Sequence, residues 1–343
     1  MAVNVLIFER SEKSHGVAAF DILKKAPDIN VIGVAKEVLE SYDKANKLNP
    51  DVIVIDAESR KTGGAYFLQQ FARRKRSPIV FFTPLQKGES PAVLEALEIG
   101  AIDFAIKPRA PNSSVEKELI DKVLAAAKAK IRPSSDADRV KTTAKVFSAE
   151  KTKKVIAIGA STGGTEALKE ALIRMPENVP GIVIVQHMPA AFTKPFAQRL
   201  DSLCAINVKE AEDGDEALTN LALIAPGNRH MVLRKSASKY YVEIISGDKV
   251  SGHRPSVDVL FNSVAECAGA NAVGAILTGM GGDGARGLLK MRKAGAKTVA
   301  QDEKTCVVFG MPKVAIELGG VDKIVPLEMV ASAVMQFVAE IGV

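Results

Sequence analysis

The sequence has few of the residues that build disulfide frameworks and metal sites: its 343 residues include only three cysteines and four histidines. The cysteines are odd in number and lie far apart, at Cys204, Cys267 and Cys306. This pattern is typical of a reducing compartment and contains no metal-binding spacing. The histidines never pair at the short spacing of a zinc site, so a catalytic metal is not expected.

Long apolar runs and a strong charge of one sign are also missing. No run is long enough to span a bilayer, and the first residues lack the basic segment and cleavage site of a signal peptide. We therefore expect a cytoplasmic protein without membrane insertion. The net charge of +6 is mild, and the basic residues are spread without interleaved aromatics, so nucleic acid is not an expected partner.

What the sequence does contain is an alternation of short apolar runs with amphipathic segments, for example at 38–47 and 92–98. The apolar runs of the first part lie at 3–8, 31–35, 52–55, 79–82 and 102–106. Those of the second part lie at 155–158, 182–185, 221–225, 241–245, 273–277, 298–300 and 324–326. The pattern predicts an α/β protein with two doubly wound, mainly parallel-sheet domains. An antiparallel hairpin is expected within 205–250.

A polar stretch separates the two parts. Residues 132–138 lack large apolar side chains, and residues 151–154 are mostly basic. These features predict a linker over 131–153, helical in part at 140–146, between domains at 1–130 and 154–343. The last residues, 327–343, have the pattern of a helix.

A glycine-rich turn at 159–164 carries Ser161 between an apolar run and a helix-like segment. A serine on such a turn stands clear of the strand end, close to the free N–H groups of the following helix. This geometry suits either a nucleophile or a phosphate cradle. The spacing of a dinucleotide fingerprint is absent, and Gln186 and His187 follow the next strand where an acidic ribose ligand would be expected.

Three complementary side chains follow predicted strands: Ser161, His187 and Asp283. Because the carboxyl ends of parallel strands meet at one edge of a sheet, we expect these residues to lie close together. A serine nucleophile, a histidine base and an aspartate that orients the histidine form a hydrolytic triad. The chain order Ser, His, Asp differs from that of the α/β-hydrolases.

Glycines around Met280 allow a turn that aims a backbone N–H at a developing oxyanion. The Met280 N–H is therefore a predicted oxyanion donor, and the N–H of Thr162 at the start of the helix is a second one. His230 and His253 lie in turn-like contexts. Both could line the cleft, although their contexts favour a structural role.

Six ordered blocks of the second part match one family. The part from residue 154 onward resembles the catalytic domain of the bacterial chemotaxis receptor methylesterases, or protein-glutamate methylesterases. The blocks lie at 158–164, 186–197, 225–231, 253–258, 277–284 and 301–312. The triad of that family falls on Ser161, His187 and Asp283.

The resemblance implies a Rossmann-like catalytic domain that needs no cofactor. Its implied reaction is hydrolysis of glutamate γ-methyl esters, with deamidation of glutamines, on the cytoplasmic helices of methyl-accepting chemoreceptors. Two alternatives stay open at this point. One is a non-catalytic signalling adaptor, and the other is a nucleotide-binding oxidoreductase that uses the glycine turn.

The first part resembles a two-component receiver domain with a flavodoxin-like fold. The resemblance implies that Asp56 is the phosphoacceptor, Thr83 the switch hydroxyl and Lys107 the cation that contacts the phosphoryl group. A chemotaxis histidine kinase would then be the phosphoryl donor.

The acidic pair that holds Mg²⁺ in receivers is altered in this sequence. Glu9 and Arg10 stand where two acids are expected, and the loop at 57–61 is unusual. In one hypothesis, Arg10 pairs with Asp56 and the domain is a pseudo-receiver held in one state. In the other, Glu9 and Asp56 still support a weak Mg²⁺ site and phosphorylation survives.

Overall fold

The chain forms two compact units, Met1–Ser135 and Asp136–Val343. The computed structural model describes residues 2–9, 17–56, 77–84, 93–95, 97, 100–129, 153–237 and 239–341. Each unit contains a parallel sheet with helices between its strands, which confirms the predicted α/β class. The predicted linker at 131–153 lies outside the described residues except for Lys153, so it and its helix at 140–146 stay predictions.

The first unit contains a five-stranded parallel sheet in the order β2-β1-β3-β4-β5. Its strands are β1 (Val3–Glu9), β2 (Ile29–Ala35), β3 (Val52–Asp56), β4 (Ile79–Pro84) and β5 (Asp103–Lys107). Its helices include α1 (Ala19–Leu23), α2 (Val38–Leu48) and α3 (Ser113–Ala127). Of the segment predicted as a helix at 92–98, residues 93–95 and 97 are described, and all four are helical.

The second unit contains a seven-stranded parallel sheet in the order β14-β13-β12-β6-β7-β9-β8. Its strands are β6 (Val155–Ala160), β7 (Gly181–Gln186), β8 (Asn207–Glu210), β9 (Leu221–Ile224), β12 (Ala272–Ile276), β13 (Lys297–Gln301) and β14 (Lys323–Val325). Its α-helices include α4 (Gly164–Ile173), α5 (Ala190–Leu203), α6 (Val257–Cys267), α7 (Ala285–Lys293), α8 (Met311–Glu317) and α9 (Val330–Glu340). A 3-10 turn, Leu327–Met329, precedes α9, so the predicted terminal helix begins three residues later than its pattern suggests.

The predicted antiparallel hairpin is present. Strands β10 (His230–Ser236) and β11 (Lys239–Ile245) pair with each other outside the large sheet. The hairpin is tied to α6, because the Leu233 N–H donates to Ser263 Oγ over 2.8 Å. It thereby extends the core of the second unit beyond the parallel sheet.

The centre of the large sheet explains where the site lies. Every residue of β6 and β7 is buried, as expected for β-branched apolar strands that helices cover on both faces. Strand β6 pairs with β7 on one side and with β12 on the other, so the order of the strands reverses next to β6. Open α/β sheets bind their ligands outside the carboxyl ends of the strands at such a reversal.

Across the ranges that the structure describes, no helix combines the length and apolar character needed to cross a membrane.

Candidate active site

Ser161 lies directly after β6, on the glycine turn that leads into α4. Its N–H donates to the carbonyl oxygen of Thr278 over 3.0 Å, and its own carbonyl accepts the N–H of Gly164 over 2.7 Å. The turn requires a glycine at Gly163, which has φ 76° and would place a Cβ 2.6 Å from the side chain of Val307. Ser161 is therefore held between the segment after β12 and the start of α4, at the edge of the sheet.

His187 lies directly after β7, beside Ser161. The two strands pair with Ala160 opposite Gln186, so the residues that follow them are neighbours. The distance from His187 Nδ1 to Ser161 Oγ is 3.0 Å, and that from His187 Nε2 to Asp283 Oδ2 is 2.7 Å. An ionised carboxylate only accepts hydrogen bonds, so we assign the imidazole proton to Nε2. Nδ1 then has a lone pair for the hydroxyl proton of Ser161.

Asp283 follows β12 and has a nearly fully buried carboxylate. Its Oδ2 accepts from His187 Nε2 and from the Val257 N–H, both over 2.7 Å. Its Oδ1 accepts from Ser256 Oγ over 2.7 Å and from the Asp258 N–H over 3.1 Å. Burial alone would raise the pKa of Asp283, but the hydrogen bond and charge of His187, together with Ser256 and Val257, lower it below the ordinary value.

Asp258 has the opposite electrostatic environment. Burial raises its pKa, and the nearby charge of Asp283 raises it further, while the N–H of Gly287 opposes both effects. Asp258 Oδ1 accepts that N–H over 2.7 Å. The pKa values of the neighbouring Asp258 and Asp283 carboxyl groups are therefore shifted in opposite directions. Asp283, which faces His187, is the group that stays ionised.

The predicted oxyanion donors lie on the two turns beside Ser161. Met280 is partly exposed, and its N–H has no acceptor among the described residues. Thr162 is buried, and its carbonyl accepts from Thr278 Oγ1 over 3.0 Å. Gly279 packs so tightly against the nucleophile that a Cβ there would lie 2.7 Å from Ser161 Cβ. Gly279, the residue before Met280, therefore lies against Ser161 and has no room for a side chain.

Sequence reasoning missed two polar residues that contact the site. Gln186 Nε2 donates to the carbonyls of both Ser161, over 2.9 Å, and His187, over 3.3 Å. Ser256 donates to Asp283, as described above. Gln186 and Ser256 lie inside blocks that carry the family resemblance, which was the available signal.

The two other histidines of this unit differ in their contacts. The ring of His253 stacks on that of His187, with 3.7 Å between centroids and 11° between planes. His230 is buried and bonded at both nitrogens: Nδ1 accepts the Ser256 N–H over 3.2 Å, and Nε2 donates to the Asp248 carbonyl over 2.8 Å. His253 therefore lines the site, whereas His230 supports the segment behind it.

In the first unit, Asp56 ends β3 and its carboxylate is nearly fully buried. Lys107 Nζ contacts both oxygens, at 2.8 Å and 3.0 Å, and the Ala19 N–H donates to Oδ2 over 3.2 Å. Thr83 is buried at the end of β4, the strand next to β3. The structure thus brings Asp56 and Lys107 into contact and places Thr83 on the neighbouring strand end.

The described residues do not make a complete Mg²⁺ site in this unit. Glu9 pairs with Asp56 across β1 and β3, which puts two carboxylates at one edge. Among the described residues, no group of three or more acidic, histidine or cysteine side chains forms a possible metal cluster. Asp56 is already bound to Lys107. Arg10 and the loop at 57–61 lie outside the described residues.

Where the strand order of the α/β sheet reverses, hydrogen bonds link a serine at the sheet edge to a histidine and the histidine to a buried aspartate. This arrangement defines a serine hydrolase. A family model for the CheB methylesterase matches residues 156–334, and one for the response regulator receiver domain matches residues 16–117. The chain belongs to the CheB methylesterase family. It also contains a receiver domain.

Two relatives match this chain over nearly its whole length. A protein-glutamate methylesterase/protein-glutamine glutaminase of Geobacter metallireducens is 48% identical over 95% of this chain and 93% of its own. One from Sulfurimonas denitrificans is 44% identical over 99% of both chains. The crystal structure of the Thermotoga maritima CheB methylesterase catalytic domain matches with a TM-score of 0.52 and 41% identity, covering 53% of this chain and 97% of that one. These findings favour the hydrolase over the adaptor and the oxidoreductase.

Proposed function

We propose that this protein hydrolyses γ-methyl esters of glutamate, and deamidates glutamines, on the cytoplasmic helices of methyl-accepting chemoreceptors. The observation that carries the proposal is the hydrogen-bonded series from Ser161 through His187 to Asp283. It lies inside the segment that matches the methylesterase family. The expected compartment is the cytoplasm, where these receptor helices are found.

The chemistry follows from the positions of the protons. Ser161 Oγ attacks the ester carbonyl carbon while its proton passes to His187 Nδ1. The carbonyl oxygen becomes an oxyanion that accepts from the N–H groups of Met280 and Thr162. Asp283 stabilises the imidazolium through Nε2.

The intermediate then collapses by breaking the bond to the methoxy group. His187 Nδ1 returns its proton to this oxygen, and methanol leaves a glutamyl ester on Ser161. Water attacks that ester and gives its proton to Nδ1, which passes it to Ser161 Oγ as glutamate is released. With a glutamine substrate, ammonia leaves in place of methanol.

The domain assignment is part of the proposal. We assign residues 1–130 to the receiver, 131–153 to the linker and 154–343 to the catalytic domain. Asp56 is the candidate phosphoacceptor, with Thr83 and Lys107 beside it. The pseudo-receiver hypothesis requires that Arg10, which lies outside the described residues, pairs with Asp56; the buried ion pair between Lys107 and Asp56 is compatible with both hypotheses.

The test measures methanol release from a methylated receptor fragment by the full-length protein. We expect Ser161→Ala to lower kcat by about 10⁴-fold or more without loss of folding. Ser202→Ala is the matched control, because Ser202 is exposed and, among the described residues, its hydroxyl bonds to the Arg199 carbonyl on the same helix. Full activity of Ser161→Ala would contradict the proposed nucleophile.

The same assay tests the receiver. The pseudo-receiver hypothesis predicts that a small phosphodonor with Mg²⁺ changes neither wild type nor Asp56→Asn, and that no phosphoryl group appears on Asp56. Stoichiometric labelling of Asp56, with activity that rises in wild type alone, would instead support phosphorylation and the kinase partner.

A further inference from the structure

We propose that Ser256 is a positioning residue for the hydrolytic reaction: its hydroxyl fixes the rotation of the Asp283 carboxylate, so that Oδ2 faces His187 Nε2. Ser256 lies just before α6, and 27 residues separate it from Asp283. The inference rests on the proposed function, because it assumes that Asp283 serves His187.

The Ser256 hydroxyl makes two hydrogen bonds of different length. As the N-cap of α6 it accepts the Val259 N–H, but over 3.4 Å. The bond that it donates to Asp283 Oδ1 is 2.7 Å long, the length expected for a hydroxyl on a carboxylate. Helix capping therefore accounts for the weaker of its two contacts, and the stronger one is directed at the site.

The Asp283 carboxylate is surrounded by hydrogen-bond donors. The two oxygens of Asp283 offer about four lone-pair positions, and four donors occupy them. On Oδ1, Ser256 is the shorter of two contacts, and on Oδ2 the Val257 N–H lies beside His187 Nε2. Removal of the hydroxyl leaves Oδ1 with only the 3.1 Å bond from the Asp258 N–H. The carboxylate can then rotate away from the plane in which Oδ2 meets His187.

Ser256 is itself held in place on the side away from Asp283. Its N–H donates to Nδ1 of the buried His230, and Nε2 of that ring is bonded to the Asp248 carbonyl. The next residue, Val257, fills the space at two glycines of neighbouring elements. A Cβ at Gly159 or Gly284 would lie 2.2 Å or 2.4 Å from Val257 Cγ1. The start of α6 therefore cannot shift to follow the carboxylate.

Ser263 provides a matched control on the same helix. It is also a buried serine, and it also makes two short hydrogen bonds: it accepts the Leu233 N–H over 2.8 Å and donates to the Leu260 carbonyl over 2.6 Å. Both contacts lead to the hairpin and the helix rather than to the site. Ser263→Ala therefore reports the cost of losing a buried serine without any change at Asp283.

The experiment measures kcat and KM for methanol release, and the rate at which a fluorophosphonate probe labels Ser161, in full-length variants. We expect Ser256→Ala to lower kcat and the labelling rate by about 10- to 100-fold with KM unchanged. Ser263→Ala should leave both rates near wild type although it also lowers stability in urea. Ser256→Thr, which keeps the hydroxyl, should restore most of the rate.

A second variant covers the case in which the threonine methyl group prevents folding. Ser256→Cys, whose thiol is a weaker donor, should then give rates between those of wild type and Ser256→Ala. Equal rates for Ser256→Ala and Ser263→Ala would overturn the positioning role and leave Ser256 as a helix cap. Activity retained by Ser161→Ala would instead overturn the proposed function, so the two failures are distinct.

Discussion

The contact between Gly279 and Ser161 makes activity depend on a residue that has no side chain. A Cβ at Gly279 would lie 2.3 Å from Met311 Sδ and 2.7 Å from Ser161 Cβ. The thioether of Met311 is flexible and can rotate away. Ser161 cannot, because its N–H and its carbonyl are both bonded to neighbouring elements. Gly279→Ala should therefore displace the nucleophile.

The size of the effect follows from the distances. The 2.7 Å separation falls about 0.7 Å short of the 3.4 Å at which ordinary contact begins. A displacement near 1 Å of a group that must align with its base costs on the order of 100-fold in rate. Overpacking of this kind also costs about 1–3 kcal/mol in the free energy of unfolding. We expect kcat/KM of Gly279→Ala to fall by about 100-fold, with a fold that stays native at 25 °C.

Gly282→Ala is the matched control on the same turn. Neither Gly279 nor Gly282 has a positive φ, so neither change strains the backbone. The three atoms nearest to a Cβ at Gly282 all belong to the Val314 side chain, the closest at 3.2 Å. Methanol release from a methylated receptor fragment and urea unfolding should be measured for both variants. If Gly279→Ala is as active as Gly282→Ala, the reasoning from the Ser161 contact is wrong.

Two further predictions concern stability. Lys107→Met leaves the buried carboxylate of Asp56 without its cation and should lower the free energy of unfolding of the first unit by about 3 kcal/mol at pH 7. In urea titrations, adding Asp56→Asn should recover most of this loss. A Lys107→Met variant as stable as wild type would contradict a stabilising ion pair. Burial would raise the pKa of Asp322, but its hydrogen bonds from Arg292 and Thr298 lower it. The ionised Asp322 carboxylate therefore stabilises the fold above its ordinary pKa, and this stabilisation is lost as pH falls through the lower pKa of the folded state. Asp322→Asn should therefore be less stable than wild type near pH 7 and should approach it once the pH falls below the lowered pKa of Asp322. A stability difference independent of pH would refute this.

Much of the fold could be predicted because its signals are local. The buried strands β6, β7 and β12 are short apolar runs whose residues favour extended backbone, and the pattern repeats between amphipathic segments. The hairpin β10–β11 was predicted for the same reason. The last helix begins later than its apolar pattern predicts, because residues 327–329 form a 3-10 turn.

The part of the candidate site that follows from parallel strand topology could be predicted from the sequence. Ser161 and His187 each follow a strand, and strands that run the same way deliver the residues after them to one edge. The direction of the imidazole was not predictable, because either ring nitrogen could have faced the serine. In the structure Nδ1 faces Ser161 and Nε2 faces Asp283.

The sequence alone thus determined the residue types of the site, the two parallel sheets and the glycines that shape the turn at 159–164. These depend on local backbone preference and on the alternation of buried and exposed positions, which one chain records directly. Tertiary structure decided which distant groups meet. The four donors on Asp283 come from two other segments, and the space beside Ser161 is closed by Gly279, 118 positions further along the chain. Such contacts depend on packing between elements, which no local pattern encodes.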